Sequence, residues 1–265
     1  MIFHEGQEHP GGSRPVSRGA VAGQQSRVDR RRGSTILGLQ ETAGNVAVQR
    51  LLAAQRAASP AGATKLPVVD IMELVAEAKR RSRLFSSTFS TISRVGYTYS
   101  WNTVDRRTYT NRVEKIMVIS PLGSRDDVLV KIMYEAGNAF FESDLAAVDK
   151  MRDAGKYTTG DHYARAVLRE ETATVVSASR SALEAGLVYD PVYDAIVRKF
   201  LRPDPSSAGH FSWKKGKSVN DAIKAVLPRV LDRAMTTDAG GNRVLAREAY
   251  ARDWQVWSAR HQRSK

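Results

Sequence analysis

Two stretches of the chain combine chemically capable residue types with a spacing that brings them together. The first is Tyr134-Glu135-Ala136-Gly137-Asn138. On a helix, residues 134 and 138 stand one turn apart on one face, beside the carboxylate of 135. The second is Glu170-Glu171. Ala164, Val167, Leu168, Val175, Ala178 and Ala182 recur at helical spacing, and Glu171 falls inside the apolar stripe they make. A carboxylate there is costly unless paired or hydrogen-bonded. Glu171 is therefore a candidate site residue or a buried ion-pair partner. Glu135 and Glu171 are the candidate catalytic residues, as an acid/base pair. Tyr134, Asn138 and Glu170 are candidate lining residues. The plainer reading of Glu135 is an ion pair or cap on an ordinary helix.

A third stretch, Gly209-His210-Phe211-Ser212-Trp213-Lys214-Lys215-Gly216-Lys217-Ser218, ends as a phosphate-binding loop does. Such a loop needs a glycine five positions before its second glycine and an apolar strand ahead of it. Position 211 is Phe and the strand is missing, so an ATPase is excluded. The types present still suit nucleic acid: Trp213 with Lys214, Lys215 and Lys217 joins a stacking ring to phosphate-neutralising cations. Arg198, Lys199, Arg202, Lys224 and Arg229 extend the patch. Against this stands a basic loop over a helix edge with Trp213 packed inward. The histidines offer less, because no two of them share metal-ligand spacing in the folded part. No metal and no cofactor is expected.

Composition sets the frame. The 265 residues carry 41 Lys and Arg against 28 Asp and Glu, a formal +13. The surplus favours acidic partners: nucleic acid, anionic lipid or the negative lumen of another protein. With no cysteine, disulfides and thiolate-ligated metals are excluded. No stretch of about 18 apolar residues exists, so no membrane-spanning helix is expected. The first residues, MIFHEGQEHPGGSRPVSRG, lack the apolar centre of a secretory signal.

The elements that must position these residues can be read from pattern. Residues 1–35 are poor in large apolar groups and end near Arg30-Arg31-Arg32, which predicts a disordered basic arm. A short helical element over 36–58 follows, then a Pro/Gly/Ala linker over 59–66. The globular domain is expected over 67–260, with a tail at 261–265. Within it, Pro67 and the stripe Ile71, Leu74, Val75 and Ala78 predict a helix over 67–82. The Tyr, Thr and Val of 95–119 predict two or three strands with a turn near 102–107 and a buried strand at 116–119. Beyond 125 the helices expected are 125–142, 143–154, 159–185, 190–201, 218–235 and 243–260. Thr158 or Thr159, Asp190-Pro191 and Ser218 read as their starts. The fold class is α+β: a helix-dominated domain with a small antiparallel sheet, preceded by the arm.

Residues 36–52, ILGLQETAGNVAVQRLL, carry a resemblance. Leu39, Ala43, Gly44, Asn45, Ala47, Val48 and Leu51 match the LQxxAGNxAVxxLL element of cargo and effector proteins associated with bacterial extracellular contractile injection systems. There it follows a disordered arm and precedes an unrelated C-terminal module. The resemblance implies a cargo or toxin-like effector, made in a bacterial cytoplasm and delivered outside the cell by an injection particle. Its partner would be an injection-system tube or loading protein, met through residues 1–56. Physically, the element is a helix of about two firm turns, too short to be stable alone.

The 134–138 segment also resembles a known arrangement. Zincin-type metallopeptidases place His-Glu-x-x-His on a helix behind a sheet, with Glu between the histidines polarising a water, and gluzincins add an acidic ligand from a later helix. Here Tyr134 and Asn138 replace both histidines while Glu135 stays, and Glu170 and Glu171 stand on the later helix. The resemblance implies a metallopeptidase-like domain without zinc ligands, because neutral Asn and Tyr oxygens bind Zn²⁺ poorly. Such a domain is not expected to be an active metallopeptidase and would act by binding or by other chemistry. The alternative is a nucleic-acid-binding protein or nuclease toxin using the basic 198–233 region.

Overall fold

A computed structural model describes residues 69–103, 108–207, 209–237 and 243–262. The arm expected over 1–35, the loading element over 36–58 and the linker over 59–66 lie outside the described residues. So do part of the 102–107 turn and residues 263–265.

Two short helices open the domain. Helix α1 (Ile71–Arg81) begins where the Asp70 carboxylate accepts from the Met72 N–H, which moves its start four residues past the Pro67 suggested by sequence. Ser82 ends α1 and caps α2 (Arg83–Arg94) through a bond from Phe85 N–H to its hydroxyl. Helix α2 has no counterpart among the expected elements. Its Ser and Thr hydroxyls bond back to carbonyls one turn earlier, as Ser90 does to Ser86 (2.8 Å) and Thr91 to Ser87 (3.2 Å). Such residues favour turns in isolation. Burial of Phe85, Thr88 and Ile92 overrides that preference.

The sheet comes next: β1 (Thr98–Trp101), β2 (Tyr109–Asn111) and β3 (Ile116–Ile119), in the order β1-β3-β2. β2 pairs antiparallel with β3, but β1 pairs parallel to it, Tyr99 opposite Met117. The expected small sheet is thus mixed, and the chain between β1 and β2 does not close a hairpin. The buried strand is the central one, with Met117 and Ile119 at 0% exposure.

Five helices then follow the expected order: α3 (Arg125–Phe140), α4 (Glu142–Asp153), α5 (Gly160–Glu184), α6 (Pro191–Arg198) and α7 (Val219–Arg233). Ser124 and Asp127 close a capping box at the start of α3, and Ser218 and Asp221 do so at α7. Thr159 and Asp190 cap α5 and α6. Two small hairpins were not expected: β4 (Leu201–Pro203) with β5 (Phe211–Trp213), and β6 (Met235–Thr237) with β7 (Arg243–Leu245). The last helix, α8, runs Ala246–Gln262. The described residues therefore form an α+β, helix-dominated fold of eight helices and small sheets. None of these helices is long and apolar enough to cross a membrane.

Helix α5 is the axis, packing against α2, α3, α4, α6, α7 and α8. Two glycines permit its closest approaches. A Cβ on Gly137 of α3 would lie 3.0 Å from the Thr174 side chain, and one on Gly160 would lie 2.5 Å from the Ala251 carbonyl of α8. Gly160→Ala must therefore push α8 away from the first turn of α5. It should lower stability by roughly 1–3 kcal/mol, read as a lower urea midpoint by circular dichroism. An unchanged midpoint would contradict this packing.

Candidate carboxylate site

Helix α3 is enclosed, with every residue from Val128 to Ala139 buried. A carboxylate within that stretch has no route to solvent along its own helix. The Glu135 side chain is fully buried, and the protein supplies its hydrogen bonds. The Thr110 hydroxyl on β2 donates to Oε2 at 2.6 Å, and the Asn138 amide, one turn along α3, donates to the same oxygen at 3.1 Å. The other oxygen, Oε1, is buried without a partner. Burial pushes the Glu135 carboxyl up to about 7, against the downward pull of Thr110, Asn138 and the Arg112 guanidinium.

Glu171 sits on α5 at 6% exposure. The Tyr250 hydroxyl of α8 donates to its Oε1 at 2.5 Å. Burial pushes this carboxyl to about 7 as well, opposed by Tyr250 and again by Arg112. Both carboxyls thus feel the charge of Arg112, though less than burial, and both act on the tyrosine next to Glu135. The Tyr134 hydroxyl is raised by burial first, then by Glu171 and by Glu135. Its ring stacks on Tyr189 (centroids 5.8 Å apart, planes at 10°). Tyr134, Glu135, Asn138 and Glu171 therefore belong to one buried cluster.

Glu170 does not join them. One residue along α5 is a rotation of about 100°, and Glu170 instead contacts Arg169 and lines a separate cavity of about 640 Å³. That cavity runs along the outer face of α5 between α2, α4, β5 and α7, and includes neither Glu135 nor Glu171. Three members of the cluster escaped the sequence reading: Thr110, Arg112 and Tyr250. Thr110 and Arg112 lay in a stretch read only as strand and turn. Tyr250 lies 79 residues from the Glu171 it meets, and nothing local marks it.

The basic stretch divides. Lys214, Lys215 and Lys217 are exposed, as are Arg198, Lys199, Arg202, Lys224 and Arg229. Trp213 is half-buried, lines the 640 Å³ cavity and has the Arg180 guanidinium 5.2 Å from its ring centre. His210 approaches Glu184 at 3.8 Å, and His261 stacks on Trp257. Among the described residues no three His, Cys, Asp or Glu are grouped to hold a metal ion.

The cluster defines a class of site: two buried carboxyls on packed helices, one of them bonded to the edge strand of a sheet. No protein-family model, no curated protein and no solved structure matches the chain.

The raised carboxyls have a thermodynamic consequence. Each binds its proton more tightly folded, near 7, than at its ordinary 4.5. Their stabilising contribution is complete below about 4.5 and is lost as pH rises through 7. The full effect approaches roughly 3 kcal/mol for each group, and the two are not additive because they share Arg112. Glu135→Gln and Glu171→Gln should each flatten the fall in stability between about pH 5 and pH 8. Urea titrations across that range read it directly. A wild-type stability that rises over the same range would refute the assignment.

Proposed function

We propose that this chain is a cargo or toxin-like effector of a bacterial contractile injection system, and that its described domain works through the Glu135–Glu171 site. The delivery half of the reading rests on residues 36–52, with Ala43, Gly44, Asn45, Ala47, Val48 and Leu51 in the spacing of the loading element. In this reading the protein is made in the bacterial cytoplasm and carried out by the particle, with residues 1–56 meeting the tube or a loading protein.

The site half rests on one observation: Tyr134, Glu135, Asn138 and Glu171 share a buried cluster behind the sheet edge. In this reading Tyr134 and Asn138 stand in the sequence positions that the two imidazoles of a metallopeptidase helix hold. Asn138 already donates to Glu135, and Tyr134 is stacked on Tyr189. Both side chains are engaged within the protein. The domain then acts by binding, or by proton transfer between its two carboxyls, rather than as a zinc peptidase.

Deleting residues 1–56 should abolish loading into particles while leaving the particles intact, as scored by immunoblot of purified sheaths. Loading at the wild-type level would sink the delivery reading. Separately, Glu135→Gln and Glu171→Gln in the full chain should load normally and lose most of any toxicity to target cells. Full toxicity in both variants would confine the pair to a structural role.

A second reading is favoured by the eight exposed cations around the β4–β5 hairpin and α7, which suit nucleic acid. Binding of DNA or RNA that weakens steeply with salt and is lost in Lys214→Ala/Lys215→Ala/Lys217→Ala supports it. No binding at low salt removes it.

A further inference from the structure

Helix α5 has a second working face, away from the Glu135–Glu171 cluster. Glu170, Ala173, Val176, Ser177 and Arg180 follow one another along it at helical spacing and line the cavity of about 640 Å³. Ten residues of helix separate Glu170 from Arg180, a floor of about 15 Å. Between them the floor is alanine, valine and serine, so its depth comes from short side chains. Leu84 of α2, Val148 of α4 and Ile223 of α7 give it apolar walls. Phe140, Met151 and Val219 also line it, and all three are exposed. Exposed apolar side chains gathered around one cavity mark a binding site, which scattered ones do not. The volume falls within the roughly 300–1,000 Å³ of small-molecule sites.

One end of this apolar trough carries a cation that three neighbours hold in place. Arg180 Nη2 donates to the Phe211 carbonyl of β5 at 2.5 Å. Its Nε lies 3.5 Å from Glu184 Oε1, one turn along α5, and its guanidinium carbon lies 5.2 Å from the Trp213 ring centre. Glu184 has other duties: its Oε2 accepts from the Ser82 hydroxyl and the Leu84 N–H, both at 2.9 Å. Arg180 Nε is buried without a hydrogen-bond partner, so Glu184 orients the guanidinium without closing a bond on it. Nη1 makes no hydrogen bond among the described residues. The cation at the other end, Arg169, is taken up by Glu170, and Asp144 of α4 is exposed.

We propose that this cavity binds a straight-chain fatty acid, its carboxylate on Arg180 beside Trp213 and its chain along the α5 floor toward the Arg169–Glu170 pair. An oriented guanidinium at one end of an apolar cavity selects a ligand with one anionic head and an apolar body. The floor is long and narrow, which suits a single chain. Each methylene laid along it leaves water for apolar walls. Lys214 and Lys215, exposed just beyond Trp213, raise the local concentration of anions. The site is separate from the Glu135–Glu171 cluster, whose residues do not line it, and it does not depend on how the protein is loaded.

The test uses the full chain and laurate below its micelle concentration. Dodecyl maltoside and dodecyltrimethylammonium carry a tail of the same length on an uncharged and a cationic head. Calorimetry should show saturable laurate binding, with affinity rising several-fold for every two methylenes from hexanoate to laurate. The other two heads should bind roughly tenfold more weakly or worse. Arg180→Gln should weaken laurate roughly tenfold. Arg180→Lys, which keeps the charge and loses the planar fork, should weaken it less. Ser177→Phe fills the floor while keeping the Arg180 side chain and should abolish binding; it keeps the test decisive should Arg180→Gln not fold. Laurate brominated beside its carboxyl should quench Trp213 emission more than laurate brominated at its methyl end, and Trp213→Phe should remove the difference. Wild-type affinity in Arg180→Gln or in Ser177→Phe overturns the proposal, since it places laurate on the outer surface. Equal binding of all three heads overturns it, because the cation then selects nothing. Absence of saturable laurate binding overturns it as well, including the case in which sedimentation shows a second copy of this chain covering Phe140, Met151 and Val219.

Discussion

A carboxyl that water does not reach depends on donors the protein provides, and Glu135 has donors for only one of its two oxygens. Both donors come from defined places: Thr110 on the edge strand and Asn138 one turn along the same helix. The first fixes where β2 must lie against α3. The second requires that α3 be regular through Gly137, where the backbone also passes close to Thr174 of α5. Sheet edge and central helix are therefore tied through one side chain, and the axial helix packs against the same turn at Gly137. Removing that side chain's charge would relax the electrostatic cost. Removing its shape would open a void among residues that have almost none of their surface in water.

The axial helix shows how finely burial sorts chemistry. Glu170 and Glu171 are neighbours of identical type. One points to the outer face, contacts Arg169 and borders an open cavity. The other turns inward to Tyr250 and has its proton held to about 7. Nothing in their composition separates them. The apolar residues three and four positions away do, because they fix which side of α5 faces α3 and α8.

Much of this was legible before the structure. The starts of α5, α6 and α7 follow from Thr159, Asp190 and Ser218, whose side chains satisfy the first free N–H groups in the way those residue types do. Glu171 stood out because it broke an apolar stripe. What was not legible depended on contacts distant in sequence. The Ser/Thr-rich α2 is helical only because its aromatic face is buried by later elements. The parallel pairing of β1 with β3 skips the intervening strand, and such pairings carry no local signature. Arg112 and Tyr250 have their meaning only once β2, α3, α5 and α8 have met.

The neighbours Tyr134 and Asn138 also set what Glu135 can do. Beside a metal, a carboxylate feels positive charge and stays ionised at neutral pH. Beside a phenol and an amide it feels none from those neighbours, and burial dominates. Among the described residues Arg112 opposes burial at both carboxyls, less strongly than the hydrogen bonds from Thr110, Asn138 and Tyr250 do. A site built this way holds protons where a metal-polarised site would release them. Burial favours the protonated form of both glutamates up to about 7. The cation that opposes burial at both glutamates follows the edge strand rather than lying on either helix.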